Sequence, residues 1–410
     1  MSWSSARPTN LHVSHLWGGG TEAWIEDFAA ADGLSENLAL HSLGTEECYG
    51  LRLRLVHVAS GTELDSWTLR HPISEVRSSH PEVAAVLFDI CARFDIRHLY
   101  VSSLVGLSLD VFRLGIPCTK IYHDYFPFCP AFFITRDGIC RSCTEQDLAS
   151  CATWDTSHRP KGSPAYYREL RSAYFEAVDG AAVRHVSPSQ SVPRNLRALD
   201  SRWDAIDFDI IGHGITHRKR NLFGGAEEGR RLRVGLLGLL GWNKGRELLR
   251  DKFDSVRTIV DLHIIGAEEA GVEYDGRWGA SFVHHYEPDA LEHIIERRRL
   301  DLMIFLSLVP ETFSFTLSES WCFCVPPAAR SIGAHAERIS EGADGFLFGR
   351  ENDDLIEFLL WADRERGALR QVAKRLRDKP VRTVREAVRD YYRLRPDYAG
   401  HLEDCLELTV

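Results

Sequence analysis

Residues 302–321 read LMIFLSLVPETFSFTLSESW. The run from Leu302 to Val309 is apolar and short, the pattern of a strand buried on both faces in a parallel sheet. A proline and a polar turn end it. Glu311 and Glu319 then stand eight positions apart, with Thr312, Ser314, Thr316 and Ser318 between them. With Glu319 on a helix and Glu311 on the loop before it, both carboxylates can converge on one polyol, because a carboxylate accepts two hydrogen bonds from vicinal hydroxyls such as a ribose diol. The N–H groups of the loop at Thr312, Phe313 and Ser314 are suited to phosphate oxygens.

The same alternation of short apolar runs and helical periods extends in both directions, which points to α/β architecture with parallel sheets. Upstream, LHVSHLW, NLALHSLG, LRLRLVHV, RHLYVSSL, CTKIYHDY, AAVRHVSPS and DFDIIGHGI read as strands. TEAWIEDFAAADG, HPEVAAVLFDICARFD and Leu170–Val178 carry apolar residues at helical spacing. A polar, Gly-containing stretch from Thr216 to Arg231 has the composition of a linker. Beyond it the alternation restarts with LRVGLLG, a helix from Arg246, TIVDLHIIG, SFVHHYE and DALEHIIERRR.

The chain has 410 residues, enough for two domains with ordinary cores. That excludes a disordered tail, a collagen-like fibre and a small disulfide scaffold. Forty-nine Lys and Arg against 59 Asp and Glu give a net charge of -10, so no global attraction to nucleic acid is expected. No apolar run approaches the roughly 20 residues of a membrane span, and the first residues lack the apolar core of a signal peptide. A cytoplasmic protein is expected. Its ten cysteines are then better read as buried thiols or metal ligands than as disulfides. From Asp363 to Arg395, twelve Lys and Arg face five acids. This segment reads either as a surface peripheral to the inner membrane or as solvated helix faces with charge pairs.

Three further constellations carry chemistry. WGGGTEAW, Trp17 to Trp24, joins a strand to a helix through Gly18, Gly19 and Gly20, where the backbone can approach a ligand and a helix N-terminus can meet an anion. It reads equally as a plain glycine turn. In VGLLGLLGWNKGREL, Gly238 ends a strand and Lys244 precedes a helix, placing an ammonium near the carboxyl edge of the sheet where open α/β folds bind ligands. A surface lysine is the other reading. In CPAFFITRDGICRSCTEQDLASC, Cys129, Cys140, Cys143 and Cys151 can supply four thiolates to a structural zinc, with free thiols and disulfides as alternatives. This Cys-rich loop, about 126–160, follows His123, Asp124 and Tyr125. Its phenylalanines, Phe126, Phe128, Phe132 and Phe133, suit a sugar or lipid face or the core.

Taken in order, GGGTE, YHDY, a strand with HGI, G-x5-KG, the E-x7-E element, SIGAHAERI and EGADGFL resemble retaining glycosyltransferase family 4. The resemblance runs from about His12 to Phe348 and is similar to members that build bacterial surface polysaccharides such as O-antigen and lipopolysaccharide. It implies the GT-B fold, two Rossmann-like doubly wound domains facing across a cleft. The domains would be residues 1–215 on the acceptor side and 216–385 for the nucleotide sugar, with a C-terminal helix in 386–410 packing back on the first.

The resemblance also implies residue roles. Gly19 and Gly20 would lie against the donor diphosphate, with Gly238 and Lys244 meeting it from the second domain. Glu319 would hold the ribose, Glu311 the transferred sugar, and Gly266 the base. His123 would sit near the anomeric carbon, with Asp124 and Tyr125 on the acceptor side; a core histidine is the other reading of His123. The activity implied is metal-independent transfer, with retention, of a hexosyl or deoxyhexosyl unit from a nucleotide sugar to a glycan or lipid-linked glycan. No cofactor is needed and nucleic acid is not a partner. Leu239 stands where the family usually has an arginine, which would leave Lys244 with more of the diphosphate charge. That departure keeps open a catalytically silent, nucleotide-binding subunit that scaffolds a polysaccharide-assembly complex.

Overall fold

The computed structural model describes residues 7–136, 138–154, 160–179, 183–349 and 355–398. The chain divides into two compact units, Met1–Gly214 with Thr383–Val410, and Ile215–Arg382.

The first unit is built on an eight-stranded sheet of order β10-β9-β8-β6-β1-β2-β3-β4. Its parallel members are β1 (Thr9–His15), β2 (Glu36–Leu43), β6 (Ile96–Val101), β8 (Cys118–Ile121), β9 (Val183–Ser187) and β10 (Phe208–Ile210). Val13 pairs with Leu40 on one side and Val101 on the other, and all three are fully buried. The helices are α1 (Gly20–Ala31), α2 (Pro81–Phe94), α3 (Glu145–Ala152), α4 (Pro164–Asp179) and α5 (Ser191–Leu199). Helix α2 starts where its sequence allows, with Pro81 in the first turn and the His80 ring accepting from the Val83 N–H.

Two strands depart from the expected parallel sheet. β3 (Gly50–His57) is antiparallel to β2, and β4 (Thr62–Ile73), which the sequence pattern does not reveal, is antiparallel to β3. The connections are too short for a crossover, and Gly61 in the left-handed region closes the β3–β4 turn. β4 stays hidden because most of its residues are polar and exposed, as suits an edge strand. A two-stranded ribbon of β5 (Val76–Arg77) and β7 (Leu107–Ser108) completes the unit's strands. The strand read in CTKIYHDY ends at Ile121, so Tyr122, His123 and Asp124 lie in the turn beyond it.

The last described helix belongs to this unit. A Thr383–Glu386 capping box opens this helix, α12 (Val384–Arg393), and Val384, Ala387, Val388, Tyr391 and Tyr392 form its buried stripe. Tyr391 packs against Trp24, Phe28 and Tyr100. The Tyr392 hydroxyl meets both Asp32 oxygens at 2.9 and 2.8 Å and Ser35 Oγ at 2.7 Å, and Arg395 Nη1 donates to Asn10 Oδ1 at 2.8 Å.

The second unit holds an all-parallel six-stranded sheet of order β13-β12-β11-β14-β15-β16. The strands are β11 (Leu232–Leu237), β12 (Val260–Ile265), β13 (Ala280–Val283), β14 (Leu302–Phe305), β15 (Pro327–Arg330) and β16 (Phe346–Phe348). They alternate with α6 (Arg246–Ile259), α7 (Leu291–Arg298), α8 (Phe315–Cys322) and α9 (Gly333–Arg338), then α10 (Leu355–Arg364) and α11 (Arg366–Leu376). The stretch 216–231, polar enough to read as a linker, is bound to this unit. Leu222 N–H donates to Phe323 O and Gly224 N–H to Leu300 O, and Arg230 makes a two-pronged pair with the fully buried Asp301.

The basic segment 363–395 runs from one unit into the other, and much of its charge is used internally. Arg366 donates to Asp363 and to the Glu227 carbonyl, Lys379 pairs with Asp344 at 2.9 Å, and Arg395 is buried. These three side chains are paired within the protein, as the charge-pair reading of the segment expects. No helix among the described residues is long and apolar enough to cross a membrane.

Tyr392→Phe would leave the buried Asp32 without its hydroxyl partner, which costs about 1–3 kcal/mol. Arg393→Ala, removing an exposed pair with Asp390, should cost under about 1 kcal/mol. Thermal melts of the two variants should show that order.

Candidate functional site

In each sheet the strand order reverses once among the parallel strands, and at such a reversal helices leave in opposite directions and the loops between them stay uncovered. In the second unit the reversal falls between β11 and β14. Chain leaving β11 reaches Lys244, and chain leaving β14 reaches Glu311. The two turns are laced together: the Leu308 N–H donates to Asn243 O at 2.9 Å, and a Cβ on Gly245 would come within 2.5 Å of Leu306 O. Gly245 is also left-handed, at φ 84°, so glycine is required there on both counts.

Lys244 Nζ donates to Glu311 Oε1 at 2.6 Å, and Ser307 Oγ donates to the same oxygen at 2.6 Å. Glu311 is largely buried while Lys244 is 40% exposed, so the ammonium remains reachable from solvent. Burial pushes the Glu311 carboxyl up, but the Lys244 ammonium, the neighbouring His335 and the two hydrogen bonds outweigh it, and the net direction is down. Glu311 is thus a carboxylate at neutral pH.

Three residues on, Ser314 caps α8, its Oγ accepting from the Leu317 N–H at 3.3 Å. The backbone of Ser314 is unusual for a residue with a side chain, at φ 77° and ψ 95°. Thr316, in the first turn of α8, faces the end of β11: a Cβ on Gly238 would lie 3.6 Å from its methyl. Gly238, Lys244, Glu311, Thr312, Phe313 and Ser314 therefore belong to one pair of adjacent turns. Glu319 follows on α8, with His217 Nε2 3.9 Å from its Oε1. Gly266, left-handed at φ 77°, ends β12, and the Tyr286 ring packs so tightly on it that a Cβ would meet Cε1 at 2.4 Å. Tyr286 also feels the Glu319 charge, which with burial pushes its hydroxyl up. Leu239, just past Gly238, is 53% exposed.

In the first unit the reversal falls between β1 and β6. The turn after β1 carries Gly18 and Gly19 at φ 73° and 76°, and Gly20 opens α1. His123, in the turn after β8, stacks on His213 with centroids 5.0 Å apart and lies 5.1 Å from Trp24. Burial and the facing His213 hold its pKa well below the usual histidine value, so the ring is neutral at physiological pH. Asp124 is pushed up to about 6 by burial against the opposing pull of Lys120, and its Oδ1 accepts from the Phe126 N–H at 2.9 Å. Tyr125 is turned into the core at 2% exposure, its hydroxyl accepting from Asn195 Nδ2, so it orders this turn from within.

The cysteine expectation needs correction. Cys129, Cys140, Cys143 and Cys151 line one cavity of about 250 Å³, yet among the described residues no three His, Cys, Asp or Glu side chains converge as metal ligands. Two of the sulfurs are taken up by protein donors: Cys129 Sγ accepts from the Ile134 N–H at 3.2 Å and Cys143 Sγ from Arg171 Nη2 at 3.1 Å. Burial pushes the Cys129 thiol up to about 12 and the Cys140 thiol up to about 11. These residues do not fit a zinc cage, and all nine described cysteines are free. Phe126 and Phe132, offered as a ligand face, stack on each other and are buried.

Sequence reasoning passed over Ser307, Asn243, His335 and Arg338. Asn243, His335 and Arg338 act on residues distant in the chain, whereas Ser307 lies four positions from Glu311; a helical i,i+3 spacing of His335 and Arg338 in SIGAHAERI hints at a common face.

The Glu311–Lys244 contact has a pH signature. A carboxyl whose folded pKa is depressed stabilises the fold above its unfolded pKa, and that contribution is lost as pH falls through the folded value. In Lys244→Met the buried carboxyl keeps the burial and loses the ammonium, its pKa rises, and the penalty grows as pH rises. The melting-temperature gap between wild type and Lys244→Met should widen from about pH 4 to about pH 8; a gap constant with pH contradicts the pairing.

No protein-family model matches the chain, and no curated protein matches it in sequence. Solved structures do match over nearly all of it. A glycosyltransferase from Rickettsia africae aligns at a TM-score of 0.59 and 12% identity, covering 98% of this chain and 100% of that one. Sucrose-phosphate synthase from Thermosynechococcus elongatus aligns at 0.60 and 12%, covering 95% and 98%. Anabaena HepE, in complex with UDP and glucose, aligns at 0.57 and 14%, covering 94% and 98%. At such identities the likeness is one of fold, and the chain has the α/β GT-B fold of these glycosyltransferases, with two Rossmann-like domains.

Proposed function

We propose that the chain is a retaining glycosyltransferase that moves a hexosyl or deoxyhexosyl unit from a nucleotide sugar to a glycan or lipid-linked glycan in bacterial polysaccharide biosynthesis. The observation that carries this reading is the meeting of Lys244, Glu311 and the α8 N-terminus at the strand-order reversal of the second unit. An exposed ammonium beside a capped helix start suits a diphosphate, and a carboxylate fixed beside it suits sugar hydroxyls.

In the proposed reaction the bond between the anomeric carbon and the diphosphate oxygen breaks, its electron pair leaving with the diphosphate. Lys244 and the N–H groups at the start of α8 stabilise that charge where it develops. The acceptor hydroxyl adds to the anomeric carbon and its proton passes to the departing phosphate oxygen. Glu319 holds the ribose, with Gly266 and Tyr286 beside the base. In the first unit, Gly19 and Gly20 are assigned to the donor, neutral His123 to the sugar near the reacting carbon, and Asp124 to the acceptor side. These fixed charges are proposed to serve without a divalent ion. The reading places the reaction in the cytoplasm, with a lipid-linked acceptor at the inner face of the membrane.

HepE's complex with UDP and glucose makes UDP-sugars the first donors to try. A thermal-shift series with UDP, GDP, ADP and dTDP and their sugars should give one clear stabilisation, about 2.7 kcal/mol at 100 times the dissociation constant. With that donor, Glu319→Ala and Lys244→Ala should lower kcat/KM by about 100-fold or more. Unchanged transfer by both variants contradicts the site. The exposed Leu239 favours the scaffold alternative, whose outcome is nucleotide binding with no transfer to any acceptor.

A further inference from the structure

Ser314 sits at a backbone conformation that costs a side-chain-bearing residue about 1–3 kcal/mol, so its surroundings must impose it. Helix α9 does so from two points. At its start, Gly333 lies so close to the Pro310–Glu311 backbone that a Cβ would come within 2.6 Å of Glu311 N, and the Ala334 N–H donates to Glu311 O at 2.8 Å. At its end, Arg338 Nη1 donates to Phe313 O at 2.7 Å and Ser314 O at 2.9 Å, and Nη2 donates to Ser318 Oγ at 2.7 Å. The guanidinium carbon lies 3.8 Å from the Phe313 ring centroid. One short helix therefore grips both shoulders of residues 311–318, and only a planar fork of several donors reaches two carbonyls and a hydroxyl together.

The charge matters as well as the fork. Among the described residues Arg338 has no carboxylate within 4 Å, in contrast to Arg230, which is paired with Asp301. Its charge is met by carbonyl dipoles directly behind the start of α8. A residue recruited for stability alone would gain more from a paired carboxylate, since a buried unpaired charge is costly.

We propose that Arg338 is a positioning residue for the donor site: by holding the Phe313 and Ser314 carbonyls and the Ser318 hydroxyl it fixes the turn that aims the α8 N-terminus at the nucleotide diphosphate. This rests on the donor site proposed above.

The test compares wild type, Arg338→Lys, Arg338→Met, Ser314→Gly and the Ser314→Gly/Arg338→Met double variant, each titrated with UDP, GDP, ADP and dTDP. Folding is checked by circular dichroism and melting. Folded Arg338→Lys and Arg338→Met should bind the preferred diphosphate about tenfold or more weakly, with donor KM rising. Because glycine takes a positive φ without strain, Arg338→Met should weaken binding by a much smaller factor in the Ser314→Gly background than in the wild-type background. A role in stability alone would lower the melting temperature of Arg338→Met and leave the affinity of the folded variant at the wild-type value. Should Arg338→Met fail to fold, Arg338→Lys carries the comparison. Folded Arg338 variants with wild-type affinity overturn the role of Arg338 while leaving the donor site standing. A wild type that binds none of the four diphosphates overturns the donor site and this role with it.

Discussion

The second unit depends on one topological constraint. β11 and β14 are neighbours in the sheet at the reversal of its strand order, and in open α/β sheets the crevice for ligands lies past the carboxyl ends of the strands at that point. Polar groups there need partners, and they find them in each other: Lys244 and Ser307 on Glu311, and Asn243 on Leu308. The result is a small set of fixed charges and a helix start at the reversal of the strand order. Catalysis by electrostatic stabilisation needs groups that are already in place when charge develops.

Holding them in place is costly. Glu311 is a buried carboxylate, Ser314 sits at a strained backbone angle, and Arg338 brings in an unpaired cation. The sheet of the same unit is all parallel, with buried apolar strands, and the buried Asp301 is met by Arg230 and by the Ala226 and Arg233 N–H groups. Strained backbone and buried charge held at one turn are the marks of a working segment.

Legibility from sequence followed the range of the interactions. Strands such as 302–305 and 232–237 are continuous apolar runs, and a residue just past their ends is placed at the carboxyl edge by local pattern alone, which is why Lys244 and Glu311 could be singled out. That they touch could not be read, because 67 positions separate them. β4 does not show in the sequence because an exposed edge strand lacks the apolar pattern, and the direction of β3 follows from connections too short for a crossover, which apolar pattern does not encode. The 216–231 stretch looked like a linker because its contacts are backbone hydrogen bonds and one arginine pair, neither of which shows in composition. The cysteines were misjudged because spacing says nothing of whether sulfurs converge or find other donors. Arg338 was invisible for the same reason: its partners are carbonyls, which every residue has.

The most direct measurement is a crystal structure of the chain with the nucleoside diphosphate that stabilises it. The account predicts that Lys244 Nζ leaves Glu311 for a phosphate oxygen, within about 3 Å, and that N–H groups at the start of α8 point at the same diphosphate. A nucleotide bound elsewhere, or a diphosphate remote from α8 with Lys244 still on Glu311, would contradict it.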